Sequence, residues 1–144
     1  YWTGQGILIG APEDSGAIDT VPLWGDTAAG LDDRARGYLD INCAHCHQPG
    51  GAADTSGLFL EYHRPFGYDV GKCKTPVAAG DGAGNLGYDI VPGDSEASIV
   101  DFRMESNEPA VRMPEIGRSI VHTEGVQLIE QWINAMDPVD CTNP

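Results

Sequence analysis

A short motif between residues 43 and 47 contains the residue types that can attach a metal-bearing cofactor covalently. Cys43 and Cys46 are three residues apart, and His47 follows the second cysteine directly. Residues at this spacing lie on one face of a helical turn, so both thiols can bond to one planar ring system. The neighbouring imidazole can then bind an iron at the centre of the ring. This C-x-x-C-H spacing is typical of haem c attachment and predicts one covalent haem with His47 as proximal ligand.

Other chemistries explain these three residues less well. A zinc site needs four ligands at matching spacings, and no second compact Cys or His pair follows the motif. A thioredoxin-like redox pair follows a strand, whereas a helix is expected before this motif. A structural disulfide between Cys43 and Cys46 leaves His47 without a role. His45 occupies a variable position of the motif and is expected to face solvent.

A second axial ligand is expected, because an electron carrier normally has six-coordinate iron. Met113 is the preferred candidate, since Pro114 restricts it to an extended loop conformation that can present the thioether sulfur. Two other methionines fall at helical positions and are expected to pack in the core. The candidates that the sequence leaves open are Met104, Met136, His63 and His122.

Three helices are expected to position these side chains, because apolar residues recur at helical spacing in three segments. Asp26 or Thr27 is expected to cap the first helix, and Asp94 the second. Residues 51–92 form a long glycine-rich stretch whose apolar side chains need a partner such as a bound cofactor. The expected helices are 28–46, 95–104 and 123–136.

The composition fits one domain and excludes one class of partner. The chain has 144 residues, of which 41% are hydrophobic, with 19 glycines and 10 prolines. Its formal net charge of -14 would repel phosphates, so no nucleic-acid partner is expected. The acidity serves either solubility alone or steering toward a basic partner. No apolar run reaches the roughly 20 residues of a membrane helix, so no membrane span is expected.

The order of these features resembles the class I cytochrome c family. A helix, the C-x-x-C-H motif, a glycine-rich loop, a second helix, a Met-Pro loop and a final amphipathic helix follow one another from Ala28 to Met136. The resemblance implies a mainly α fold, with about three main helices around one haem and long Gly/Pro-rich loops. In that family the first and last helices cross closely, which implies that Ala35 and Leu39 face Trp132. The family usually has glycine at the position of Ala35, so a slightly wider crossing is expected.

Three segments are more specifically similar to cytochrome modules attached to larger exported bacterial proteins, including pyrroloquinoline-quinone sugar dehydrogenases. These segments are residues 35–47, 91–94 and 112–118. The resemblance implies Cys43, Cys46, His47 and Met113 as haem-binding residues, with the iron bound by His47 and Met113. Arg112 and Arg118 flank Met113, and either one is a candidate partner for a haem propionate, with surface charge as the alternative.

The expected function is electron transfer, without enzymatic activity, to or from a redox protein or a tethered oxidoreductase domain. The alternatives are a peroxidase-like or ligand-sensing haem with a labile Met113, and a metal-stabilised structural module. Haem c attachment implies an oxidising compartment, so a periplasmic or extracellular location is expected, with an export signal upstream of Tyr1. In such a compartment the two remaining cysteines, Cys73 and Cys141, are expected to form a disulfide. We expect a monomer, with an extended segment over 1–26 packed on a cytochrome domain over 27–144.

Overall fold

The structure is a computed structural model that describes residues 1–12, 14, 16, 18, 20–77 and 79–143. Across these residues the chain forms three α-helices and no strand, which confirms the expected mainly α class. The helices are α1 (Leu31–Leu39), α2 (Ile99–Glu105) and α3 (Thr123–Asn134). A π-helical segment continues α1 over Asp40–Ala44, and 3₁₀ turns occur at Asp54–Ser56, Tyr68–Val70 and Gly80–Ala83.

The predicted helix beginnings are wrong for α1 and α2, because the expected capping residues form turns before the helices. The Asp26 carboxylate accepts the backbone N–H of Ala28 at 3.0 Å, and α1 begins only after Gly30, without a side-chain cap. The Asp94 carboxylate accepts the N–H of Ala97 at 3.0 Å, and α2 begins at Ile99. Side-chain turns of this kind compete with helix formation at the same residues. The third helix begins at Thr123 as predicted and ends two residues earlier than predicted.

The packing of α1 on α3 forms the centre of the core, in agreement with the expected contact between first and last helices. Ala35 and Leu39 of α1 belong to the same buried cluster as Ile129 and Trp132 of α3. The Trp132 indole N–H also donates to the Asp32 carboxylate at 2.7 Å. This hydrogen bond helps to set the register of the helix pair, because it joins a fixed position of α3 to a fixed position of α1.

A glycine permits the close approach, but it lies on α3 rather than α1. A Cβ at Gly125 would collide with the Tyr38 hydroxyl group, so the bare backbone of α3 is what accommodates the tyrosine. The same hydroxyl lies 3.0 Å from Nδ1 of His122, whose ring stacks on Tyr38. Gly125 therefore lets Tyr38 of α1 lie directly against the backbone of α3.

Long loops cover the core and are fixed by specific links. Cys73 and Cys141 form the expected disulfide, which joins residues separated by 68 positions. In the chain-entropy model such a closure stabilises the fold by roughly 4 kcal/mol. The Arg36 side chain, which is buried in α1, donates to the backbone carbonyl groups of Glu61, Tyr62 and Arg64. Because the guanidinium group fixes three carbonyls within residues 61–64, this part of the glycine-rich stretch has one defined path.

The N-terminal segment contacts α1 near its middle. Pro22 lies against Gly37, where an added Cβ would be 2.8 Å from the Pro22 carbonyl oxygen. Side chains of residues 1–10 are exposed. The segment predicted over 1–26 includes Glu13, Ser15, Ala17 and Asp19, which lie outside the described residues, as does Pro144 of the predicted 27–144 domain. Within the described ranges, no helix has the length and apolar character needed to cross a membrane.

One carboxyl group between α2 and α3 is buried without a counter-charge. Asp101 is 4% exposed, and its Oδ1 has no hydrogen-bond partner within the described structure. Burial, together with the nearby carboxylates of Glu130 and Glu105, raises the pKa of Asp101 to about 7. A neutral carboxyl group is therefore favoured in the folded protein at acidic pH.

Asp101→Asn should stabilise the protein in a pH-dependent way. Between pH 4 and 7 the folded state retains a proton that the unfolded state has lost, so the wild-type free energy of unfolding falls as pH rises. The variant avoids this loss, which is at most about 4 kcal/mol at pH 8 and close to zero at pH 4. Urea unfolding at pH 4, 6 and 8 measures the difference, with the exposed Glu96→Gln as control. A difference that is constant with pH would contradict the account.

Candidate functional site

The motif residues open onto a cavity of about 330 Å³ between α1, α2 and the loops. This volume lies at the lower end of the range of roughly 300–1,000 Å³ for small-molecule pockets. Cys43, Cys46, His47 and Met113 all line it, so the structure brings together the four binding residues predicted from the sequence. Apolar side chains form much of the remaining wall, including Leu39, Leu58, Leu60, Ile99, Val100 and Met104.

The two motif thiols are presented on the helical turns that follow α1. Backbone N–H groups of Cys46 and His47 both donate to the Cys43 carbonyl oxygen, at 3.1 and 2.9 Å. The turns therefore continue through the motif, which keeps all three side chains on the cavity side. Both cysteines are free thiols, and no bond joins them. Burial, followed by the effect of Cys46, raises the pKa of the Cys43 thiol to about 12.

Hydrogen bonds determine which nitrogen of His47 is available. Its Nδ1 lies 3.2 Å from the Leu58 carbonyl oxygen, which can only accept, so Nδ1 carries the proton. The Ser56 hydroxyl lies 3.4 Å from Nδ1 and donates its own hydrogen to the Ala53 carbonyl, so it also accepts from the ring. Nε2 is then the nitrogen with a free lone pair, as metal ligation requires. Burial lowers the pKa of His47, which favours the neutral ring that binds metals.

Met113 is held in the cavity wall by the end of α2. Its backbone N–H donates to the carbonyl oxygen of Arg103 at 2.9 Å. Met104, one residue later in α2, is 6% exposed and belongs to the core as predicted, but it also lines the cavity. Met136 packs against the core outside the cavity lining, and His63 is exposed outside it. Geometry therefore reduces the thioether candidates to Met113 and Met104.

A smaller cavity of about 170 Å³ adjoins the first on the Met113 side. Met104 and Met113 line both cavities. Tyr38, His122 and Arg118 line only the smaller one. His122 therefore lines the smaller cavity and not the one that contains His47.

Arg103 is the arginine in the main cavity wall, and the sequence reasoning missed it. Arg112 is absent from this lining, and Arg118 donates to the carbonyl oxygens of Met104 and Ser106 instead. Arg103 uses Nε to bond the Val111 carbonyl at 2.8 Å, and its pKa is lowered by burial. The helical period of α2 could have indicated Arg103, because it puts this residue on one face with the apolar residues of that helix. These are Ile99, Val100 and Met104.

A buried ion pair forms part of the cavity wall. The Lys74 ammonium group lies 3.2 Å from Oδ2 of Asp89, and the two side chains are 3% and 8% exposed. Asp89 itself lines the cavity. Burial raises the pKa of Asp89, while the neighbouring Lys74 acts in the opposite direction. The pair adds one positive and one negative group to the wall, and their charges cancel.

Within the part of the chain that the structure describes, no cluster of three or more His, Cys, Asp and Glu side chains is arranged to hold a metal ion. Comparisons of the chain with protein-family models, with curated proteins and with solved structures found no match.

Asp89→Asn should destabilise the protein strongly, because Lys74 would keep a buried charge without its partner. A loss of about 3–5 kcal/mol in the free energy of unfolding is expected. The double variant Lys74→Met with Asp89→Leu should recover most of this loss, since it removes both charges. Urea unfolding measures the stability of the single variant, the double variant and a control, Glu96→Gln. The control removes an exposed charge and should change stability by less than about 0.5 kcal/mol. Equal losses in the single and double variants would contradict the ion-pair account.

Proposed function

We propose that this chain is a monohaem c-type cytochrome domain that transfers single electrons and catalyses no reaction of its own. The observation that carries the proposal is the state of His47. Its Nδ1 proton bonds the Leu58 carbonyl, and its ring lines an apolar cavity beside two free thiols spaced for one porphyrin. A zinc site or a dithiol redox pair would not need this combination.

The residues present fit a covalently attached haem. Cys43 and Cys46 would hold the ring through thioether bonds, while His47 and Met113 would bind the iron. Arg103 would face an acidic group of the cofactor, because it is the guanidinium in the cavity wall. When bound, the haem supplies an iron that gains or loses one electron.

Electron transfer fits this site better than catalysis at the metal. An iron that both His47 and Met113 bound would have no open position for a substrate. The largely apolar wall would limit contact of the iron with water, which would reduce the rearrangement of solvent when the charge of the iron changes. The helix order and the α1–α3 contact also support a class I cytochrome c fold. A redox protein or a tethered oxidoreductase domain would be the partner, and the isolated domain would be a monomer.

An oxidising location agrees with the cysteine chemistry. The Cys73–Cys141 disulfide and covalent haem attachment both belong to compartments outside the cytoplasm. We therefore infer a periplasmic or extracellular location.

The smaller cavity supports a second candidate, a peroxidase-like or ligand-sensing haem. This cavity, of about 170 Å³, is lined by Met113 and has space into which that side chain could withdraw. An iron bound in the main cavity would then lose one protein ligand and could take an external one. The unmodified protein would then bind carbon monoxide and consume peroxide, whereas the electron carrier would do neither readily.

Replacement of the two methionines should test the proposed function and the ligand assignment together. The ferric protein should show haem c absorption and the weak far-red charge-transfer band of iron–methionine bonding. Met113→Ala should abolish that band, lower the reduction potential and admit carbon monoxide to the ferrous iron. Met104→Ala should retain the band and lose about 2–5 kcal/mol of stability, because it truncates a buried core side chain.

The opposite pattern, with the band lost in Met104→Ala and retained in Met113→Ala, would show that Met104 is the ligand. Complete absence of haem absorption from protein produced in a haem c-maturing periplasm would overturn the proposed function. Carbon monoxide binding and rapid peroxide consumption by the unmodified protein would support the second candidate.

A further inference from the structure

The exposed charge of this molecule is almost entirely negative. Each of its eight Lys and Arg residues is buried or half-buried, whereas fifteen Asp and Glu residues are exposed. The net charge of -14 is therefore concentrated where a partner would meet it. Such a surface attracts cationic partners over a distance that salt shortens.

Several Lys and Arg side chains are engaged by partners inside the fold. The Arg36 guanidinium donates to three backbone carbonyl groups, and Lys74 pairs with buried Asp89. Arg118 donates to the carbonyl oxygens of Met104 and Ser106. Because these groups are engaged within the fold, they are less accessible to a partner than the exposed carboxylates.

The mouth of the two cavities has a different character from the rest of this surface. Ile116 and Val77 line the larger cavity while 77% and 66% of each is exposed. Ile120 lines the smaller cavity and is 76% exposed. Large apolar side chains exposed together at a cavity mouth are typical of an interaction site.

Exposed carboxylates occur among the residues that line the larger cavity or close to them in sequence. Glu115 lines the larger cavity next to Ile116 and is exposed. Asp54 is exposed between two residues that line the same cavity, and Asp81 is exposed two positions after a third. Three exposed apolar side chains and three exposed carboxylates are together called the mouth surface. The apolar residues are Val77, Ile116 and Ile120, and the acidic residues are Asp54, Asp81 and Glu115.

We propose that the mouth surface docks a redox protein whose own contact face has an apolar centre and a rim of Lys and Arg. This inference rests on the proposed function, because docking there would bring the partner to the edge of the cofactor. The exposed carboxylates speed encounter with a basic face and repel an acidic one. The apolar side chains then contribute the short-range contact of a small, transient interface.

Electron exchange with a lysine-rich cytochrome c, used as the basic probe, tests the surface in the haem-loaded protein. The bimolecular rate measured by stopped flow should fall about tenfold or more as ionic strength rises from about 10 to about 200 mM. Glu115→Lys should slow the low-salt reaction several-fold more than Glu96→Lys. These two variants change net charge equally, but only Glu115 belongs to the mouth surface.

Ile116→Ser tests the apolar side chains of the mouth surface. It should lower the rate at both salt concentrations, whereas Ile9→Ser, at an exposed position outside the mouth surface, should leave it unchanged. Amide chemical shifts of the labelled protein should move at 76–77, 79–81 and 114–120 on addition of the probe, and an acidic flavodoxin should cause no such shifts.

Equal rates for Glu115→Lys and Glu96→Lys, or equal binding of the acidic flavodoxin, would overturn the docking surface. The haem spectrum of each variant separates this failure from failure of the proposed function. If Glu115→Lys retains haem absorption, reacts normally with a small reductant and exchanges electrons with the basic probe as fast as Glu96→Lys, only the docking inference is contradicted.

Discussion

The contact between α1 and α3 fixes the position of the motif, because α1 continues directly into the helical turns that carry it. Leu39 and Ile129 are fully buried at this contact, and burial of each such side chain contributes about 1.5–3 kcal/mol. Two contacts help to set the helix register: the hydrogen bond between Trp132 and Asp32, and the close contact of Tyr38 with Gly125. A shift of α1 by one residue would turn Cys43 away from the cavity by about 100°.

The opposite side of the cavity depends on α2, which packs on α3 in turn. One face of α2 lines the cavity, and its last turn accepts the backbone N–H of Met113. The two candidate iron ligands are therefore attached to different helices that share α3 as their support. The loop carbonyl of Leu58 completes the arrangement by orienting His47. A rigid helix set with an oriented imidazole suits a site that must change charge without changing shape.

Several features could be predicted from the sequence because they depend on local patterns. Helical periodicity identifies three helices, and the four residues predicted to bind a cofactor line one cavity. The cofactor itself and the role of Met113 as its ligand stay predictions. Disulfide pairing of the last two cysteines also follows once the motif cysteines are assigned, and the structure contains that bond. The mainly α class follows from the same local signals.

Other features could not be predicted because tertiary contacts decide them. Asp26 forms a turn with Ala28 in place of the expected cap, a local competition that propensities do not resolve. The Arg36 contacts and the Lys74–Asp89 pair join residues 15 or more positions apart, so no short-range pattern signals them. Arg103 was detectable from the period of α2, but only after the cavity-facing side of that helix is known. The burial of Asp101 against carboxylates has no sequence signal at all.

The central claim is that one haem is bound covalently through Cys43 and Cys46. Intact mass spectrometry after denaturation in acidic organic solvent tests it most directly, using protein produced in a haem c-maturing periplasm. The account predicts the mass of the chain plus one haem, with the haem retained on a peptide that contains residues 43–47 after proteolysis. A chain of unmodified mass, with haem extracted into the solvent or none present, would contradict it.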